Sequence, residues 1–503
     1  MSPSEPYLGL GSRLTSGPSA AMARVGFGGE LEGAPVLHPY LYFADVAHVV
    51  ALTDAGLVRL GDARLLIEGL RRLDARPAAE IAWDPSVGDV YNNREALLAT
   101  DVGAIADHLA TGRARREATT VAWLLACRDR LTTLGLAVAG LVEDIVSVAA
   151  ANTATVMADF TYLHHAQPTT LGHYLLGFAF PLLRDGERIG AALARANLSP
   201  AGSGSVNGSR LPIDRELLAR LLGFDGIRLH TRDAMWAPDV AMELCSTASS
   251  VAVTLDRLVE ELQIWSSSEF AFVRLADAHC RTSVIMPQKR NPYSLTQVRG
   301  EARRLLGDAL GVTLTQLTPT GQPDNRTTAY QAVPAMLDKL TASTALVGEV
   351  LTEAEFDSGR LEEMASVGHP YATDLCDHLT LSAGLANRQA HRVVGKAVAM
   401  AEARAGAVSA ADLSNASAEL GIDLGSTLPD VADELDPRRL IALRTTPGGA
   451  APTSVTAMLD ACTAGSETLR STIAPYDPEL FGASFERQVA SQLDRLAAQE
   501  KRQ

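Results

Sequence analysis

Cysteine is scarce in this 503-residue chain. Cys127, Cys245, Cys280, Cys376 and Cys462 are scattered, odd in number and in no CxxC spacing. That excludes a disulfide framework and a zinc site of ordinary spacing, and it fits reduced thiols in a cytoplasm. Basic residues are outnumbered, 44 Lys and Arg against 59 Asp and Glu, for a net charge of -15. A chain so acidic has no extended surface for nucleic acid or an anionic membrane, and an anionic small substrate would need a local basic pocket. No charge-free run of about 18 apolar residues occurs. The opening "MSPSEPYLGLGSRLTSGPSAAM" lacks a basic stretch followed by an apolar core, so neither export nor a membrane span is expected. Alternating β-branched runs bounded by turn residues hardly appear, which excludes a sheet-dominated fold.

Helical periodicity is abundant. Leu134, Val138, Leu141, Ile145 and Val148 keep one apolar stripe aligned over four turns, and Val251, Leu255, Leu258, Leu262 and Trp265 repeat it. Met336, Leu340, Val347 and Leu351 form a third stripe, so several long helices seek one another and a bundle is the economical solution. Such stripes suit an intramolecular core or a contact between subunits, and pattern alone leaves both open. The first 35 or so residues, rich in Gly, Ser and Pro, read as a poorly structured arm. From about residue 425, "GSTLPDVADELDPRRL" and "TTPGGAAPTS" bring loops and shorter helices, suggesting a separate C-terminal domain.

Four stretches carry polar chemistry. "AGSGSVNG" places Gly202, Gly204 and Gly208 together, but no strand precedes it, so a tight turn between helices is a better account than a dinucleotide loop. "ATGRARREA" sets Arg113, Arg115 and Arg116 at a helix entry, either to hold a carboxylate or as a solvated basic turn. "TYLHHAQPTTLGHYLL" gathers Thr161, Tyr162, His164, His165, Gln167 and His173; adjacent histidines on a helix face different ways, so at most one meets a given pocket, and a plain polar helix end is the alternative. In "TSVIMPQKRNP", Pro287 stops helical continuation, and Lys289 and Asn291, two apart in extended backbone, point the same way, with Ser283 upstream on a loop. A serine, an ammonium and an amide aimed at one point suit carbanion chemistry beside a carboxylate.

"TSVIMPQKRNP" resembles the signature loop of the fumarase/aspartase superfamily, usually written GSSxMPxKxN. With "ATGRARREA", "YLHHAQPTTLGHYLL", "SPAGSGSVNG", "EFAFVRLADA", "ATDLCDHL" and "RQAHRVVGKAVAMAEARAG" in matching order from about residue 36 to 455, the chain is most similar to the argininosuccinate lyase branch. The resemblance implies an all-α subunit of three domains: 1–115 with the arm, 116–368 as a long central bundle, and 369–503 with a tail. It also implies a homotetramer around a twenty-helix core, with active sites where three subunits meet. The implied reaction is β-elimination from a small anionic dicarboxylate, with no metal or organic cofactor. Carried over, Ser283 is the base, Lys289 and Asn291 bind the carboxylate that gathers charge, and Arg115 and Thr161 grip substrate, with Arg116 and Gln167 beside them.

The departures fall on the leaving-group side. The family's usual histidine is replaced at Tyr91, Ala110 and Tyr162, its asparagine at Arg116 and His230, and its glutamine at His164. The loop's glycine and second serine have become Thr282 and Val284, and a glutamate is Thr296. Tyr162 and Thr296 together replace a histidine–glutamate couple, and the polar segment that recognises the argininosuccinate end reads "TGQPDNRTTAY", with its lysine near Ala329. Of the groups now at hand, imidazole, titrating near 6.5 in peptides, is a better proton donor than a phenol near 10, which makes His164 the first candidate acid and Tyr162 the second. The expectation is a carbon–nitrogen lyase of a specialised, secondary-metabolic pathway that releases fumarate or a similar acid. Rivals are argininosuccinate cleavage itself, cycloisomerisation or C–O cleavage, and a non-catalytic relative that keeps the tetramer.

Overall fold

The computed structural model describes residues 13–319, 321–322, 324–424 and 435–502. Five long helices, Arg115–Ala151, Leu171–Ala196, Asp239–Trp265, Tyr293–Thr315 and Asp324–Thr352, pack on one another as the central bundle. The fold is all-α as expected, and its strands among the described residues are confined to two-stranded ribbons. The apolar stripes become its core: Leu134, Val138, Leu141 and Ile145 are buried, as are Val251 through Trp265 and Met336 through Leu351 at the predicted spacing. Those stripes are therefore spent within one chain. Among the large apolar side chains left in solvent, Leu306, Leu310 and Leu314 form a row along the helix Tyr293–Thr315 that Leu317 continues just beyond it.

A second core gathers Tyr371, Leu375, Leu379, Val393, Val394, Ala397, Leu413 and Leu440 from the helices Ala372–Ala383, Asn387–Ala403, Ala410–Leu420 and Pro437–Ala442. The helices Pro452–Ile473 and Pro478–Glu500 return to the first core through Val455, Cys462, Leu469, Ile473, Phe485 and Val489. The segment 369–503 thus contributes to both cores. Most of the loop expected from about residue 425, residues 425–434, lies outside the described residues.

The N-terminal arm is shorter than its composition suggests. Short helical turns run from Ala20 to Leu31, with Phe27 buried and the Gln331 side chain donating to the Gly29 carbonyl. Residues 1–12 of the expected arm lie outside the described residues. The helices Ala34–Asp54 and Arg115–Ala151 are long and apolar enough to cross a bilayer by length and composition, although neither holds a charge-free run of that length: the first is interrupted by Asp45 and the second by the charges at 128–130 and 143–144. The apolar window of the first is 78% buried inside the fold, the position of a core helix.

One charge in that first helix is central. Asp45 is 1% exposed, and its Oδ1 accepts from Arg113 at 2.7 Å while its Oδ2 faces Arg94 at 3.3 Å. Arg113 also donates to the Ala44 carbonyl and to Tyr91 Oη, and Arg94 donates to the His38 carbonyl. Burial, with Arg94 close by, brings the His38 pKa down to about 4, which keeps its ring neutral beside that guanidinium. Asp45→Ala would leave two buried guanidinium groups unanswered. It should destabilise the fold by about 3–5 kcal/mol, read as a fall in urea midpoint at unchanged m-value. A loss below about 1 kcal/mol would show that the triad is not a structural hub.

Candidate active site

The long helix Arg115–Ala151 starts immediately after Arg113 turns inward, so the neighbouring arginines of one motif divide their work. Arg115 Nη1 reaches Asp89 Oδ2 and Asn92 Oδ1, each at 3.1 Å. Asp89 is itself the N-cap of the helix Val90–Val102, accepting from Asn92 N. Arg116 faces Glu30 of the N-terminal turns at 3.7 Å. Burial raises the Glu30 pKa against the pull of Arg116, and Asp89 adds to the rise. The next residue, Glu117, accepts from Gly202 N at 2.7 Å and Gly204 N at 2.6 Å. Burial lifts its carboxyl to about 7 against those two donors. The glycine loop, with positive φ at Gly202, Gly204 and Gly208, cradles a carboxylate of its own chain, which accounts for glycines that a dinucleotide does not.

The histidine motif is a ribbon rather than a helix. Val156–Thr161 pairs antiparallel with His164–Thr170 in a register that sets Thr161 opposite His164. Tyr162 and Leu163 form the two-residue turn between them, at φ 55° and 60°. Positive φ at both positions is what a type I′ hairpin demands, a geometry usually given to Asn-Gly, so the side chains here are tolerated at a conformational cost. Tyr162 is 98% exposed at the tip. His164 and His165 take opposite faces as strand neighbours do: His164 is exposed, while His165 packs against Phe160 with ring centroids 5.1 Å apart. Burial lowers the His165 pKa. Gln167 is turned to a different place, a cleft of about 640 Å³ between the ribbon and the second core, beside Asp159, His173, Asp374 and Arg444.

The signature loop hangs from another ribbon, in which Arg281–Thr282 pairs with Arg290–Asn291. Asn291 Nδ2 donates to the Arg281 carbonyl at 2.9 Å, closing the loop's base. Ser283 Oγ accepts from Met286 N at 3.2 Å, and Lys289 has no ion pair among the described residues. Val284 is fully exposed and Ile285 nearly so, which leaves two apolar side chains uncovered beside the serine. His279, buried at the root of the loop, meets Ser294 Oγ at 3.3 Å and Glu353 at 3.1 Å.

Apart from Gln167 in its cleft, the sequence-derived candidates stand in three places: Arg115 and Arg116 at a helix entry, Thr161, Tyr162 and His164 at a hairpin tip, and Ser283, Lys289 and Asn291 on an exposed loop. Among the described residues, no hydrogen bond or ion pair joins one place to another. Sequence reasoning missed Glu30 and Asp89, the carboxylates facing the arginines. Asp89 had a signal, an aspartate just before a helix, whereas Glu30 lay in a stretch read as an arm. Several departures from the family pattern have structural roles: Tyr91 is buried under the Arg113 guanidinium, and His230 caps the helix Thr231–Trp236. Burial pushes the Tyr91 hydroxyl up to about 12.

Residues 75–307 match a family described as Lyase, and residues 369–442 match one described as Argininosuccinate lyase C-terminal. The argininosuccinate lyase of Methanoculleus marisnigri is 35% identical over 421 residues, covering 82% of this chain and 85% of its own length. That of Chelativorans sp. is 32% identical over 459 residues, covering 88% and 93%. An EDDS lyase variant with bound fumarate superposes with a TM-score of 0.84 at 27% identity over 97% of both chains. Class II fumarase from Schistosoma mansoni shares the fold, with a TM-score of 0.67 at 14% identity over 81% of this chain and 91% of that one. The chain belongs to the fumarase/aspartase superfamily of lyases and lies close to argininosuccinate lyase within it.

Proposed function

We propose that the protein is a cytoplasmic β-elimination lyase that cleaves the C–N bond of an N-substituted succinate or related dicarboxylate and releases fumarate or a fumarate-like acid. The observation that carries this reading is the signature loop, whose serine, lysine and asparagine are retained on an exposed, ribbon-anchored segment. Ser283 takes the proton from the carbon beside a carboxylate, and Lys289 and Asn291 hold that carboxylate as charge gathers on it. The pair from the broken C–H bond then forms the double bond as the C–N bond breaks, and the nitrogen leaves with the C–N bonding pair. Arg115, Arg116 and Thr161 bind the remaining polar groups, and Gln167 stands back in its own cleft as a weaker candidate. Ultraviolet absorbance of fumarate, followed over succinates bearing amine, guanidino, nitro and hydroxy groups, tests the reading. Release from at least one nitrogen-bearing compound is expected, and silence across all of them would favour a non-catalytic relative.

The three separated places belong together in a homotetramer whose subunits share each site. The exposed leucines at 306, 310, 314 and 317 support it, since a row of large apolar side chains in solvent asks for a partner. Four copies of the 53.2 kDa chain give a particle of about 210 kDa by light scattering. Leu310→Glu should break it into smaller species and abolish turnover together. A fully active monomer would sink the shared-site reading.

Ser283→Ala should lower kcat by roughly 10²-fold or more while substrate still binds. Lys289→Ala should damage kcat and KM alike, because its charge serves ground and transition states. If Ser283→Ala turns over at the wild-type rate, the base lies elsewhere.

The leaving group decides the role of Tyr162 and His164. An amine needs a proton as it departs, whereas nitrite leaves as an anion. His164→Ala should therefore cost kcat heavily, most for basic leaving groups, if His164 is the acid, and little if the group departs unaided. Restoring Tyr162→His with Thr296→Glu should not improve the native reaction, because it adds a pair to a site built around other partners. Should the double variant cleave argininosuccinate at about 10⁴ per molar per second or better, the chain is an altered argininosuccinate lyase, the second reading that its named relatives favour.

A further inference from the structure

The two carboxylates that answer Arg115 and Arg116 also meet each other. The Glu30 carboxyl is hydrogen-bonded to that of Asp89. Ionised carboxylates can only accept, so such a contact places a proton on one of the two. Asp89 is already held as an anion, its Oδ1 accepting from Asn92 N at 3.0 Å and its Oδ2 facing Arg115 Nη1 at 3.1 Å. Glu30 meets Arg116 only at 3.7 Å, which makes it the member that carries the proton. Burial raises the Glu30 pKa most and Asp89 raises it further, while Arg116 and Arg115 pull it down.

The pair stands where the arginine pocket opens. Glu30, Asp89 and Arg116 line one cavity of about 30 Å³ with Thr119, Tyr330 and Gln331, larger than the roughly 10–15 Å³ that one water requires. Glu30 keeps 22% of its side chain exposed against 6% for Asp89, so it is the member with a path outward. The turn that carries it is held in place by the Gln331 side chain, which donates to the Gly29 carbonyl. Guanidinium groups do not give up protons in proteins, and the other titratable group on this wall, the Tyr330 hydroxyl, is engaged by Thr120 and Arg326. The transferable proton of this pocket is therefore the one between the carboxyls.

We propose that Glu30 is the acid that protonates the departing nitrogen, with Asp89 as the positioning residue that holds its proton in place. The role rests on the lyase reading above. As the C–N bond breaks, its bonding pair moves onto nitrogen and takes the proton from Glu30, leaving a carboxylate that regains a proton from water once the products have gone. Substrate primes the donor, because a carboxylate that draws Arg115 and Arg116 toward itself leaves the pair with less opposing positive charge and a firmer hold on its proton. The substrate class narrows to succinates with a basic nitrogen leaving group, the kind that needs a donor.

Two measurements test this on the intact assembly. Infrared spectra of wild type and Glu30→Gln, subtracted at each pH, isolate the carbonyl stretch of a protonated Glu30. That band should outlast the ordinary glutamate range, and Asp89→Asn, which removes the like charge and still caps its helix, should move its loss to lower pH. Absence of the band above that range in wild type overturns the shared proton. In turnover, Glu30→Gln should lower kcat by roughly 10²-fold or more for succinates bearing an alkylamine and change it little for nitrosuccinate, whose leaving group departs as an anion. Wild-type kcat should fall as rising pH strips the donor of its proton, and Glu30→Gln should lose that alkaline limb. Glu30→Asp, which keeps an acid and stands in if the glutamine variant does not fold, should retain the limb at a reduced rate. No loss in Glu30→Gln, an equal loss for both leaving groups, or a dependence on basicity that disappears in His164→Ala instead, overturns Glu30 as the donor. If no succinate yields fumarate, it is the lyase reading that fails and takes the donor role with it, while the infrared band still decides whether the pair holds a proton.

Discussion

Asp45 between Arg94 and Arg113 is the constraint from which the candidate site is built. Its three members come from the helix Ala34–Asp54, the helix Val90–Val102 and the residue that leads into the long helix Arg115–Ala151. Taking these charges out of water is expensive, so the triad persists only where every partner is in place, and it thereby fixes how the three segments meet. With Arg113 held inward, the first turn of the long helix must present Arg115 and Arg116 elsewhere. The same helix start carries Glu117 into the glycine loop and Thr120 toward Arg326 and Tyr330. One buried carboxylate thus orients the cationic side of the site.

Charge at that side is nearly balanced without any ligand. Arg115 rests on Asp89, and Arg116 faces Glu30. On the proposed reading, a substrate carboxylate arriving there would exchange partners with groups already present, so that selection would depend on geometry rather than charge alone. Because Glu30 lies within the short N-terminal turns, those turns belong to the arginine pocket even though their composition resembles a linker. Lys289 is different, since no carboxylate of this chain answers it among the described residues.

The helical half of the fold was legible because a period of 3.6 sustained over many turns belongs to a helix and to little else: the stripes from 134, 251 and 336 land in the core. Their partner was not legible, since an apolar stripe looks the same whether the covering helix belongs to the same chain or to another. The short ribbons escaped because two paired residues leave no alternation to detect. His164 and His165 read as helical for that reason, yet the expectation that they face different ways holds, because it follows from either geometry. The signature loop was legible through its motif. Glu30 and Asp89 were not, because their importance comes from what stands opposite them across some tens of residues of sequence.

The hairpin tip shows how position and chemistry can be set separately. Tyr162 and Leu163 hold left-handed angles that neither side chain favours, and the tyrosine makes almost no contact with its own chain. Packing of the side chain therefore cannot be what places it. The flanking pairs, Thr161 opposite His164 and Met157 opposite Thr169, fix the turn from both sides, and Phe160 anchors the strand against Phe270 and Phe272. A residue located by its backbone can change identity without moving the loop that carries it. If the hairpin tip serves the leaving group, as proposed above, its side chains can differ from the family pattern on a scaffold whose backbone geometry does not depend on them.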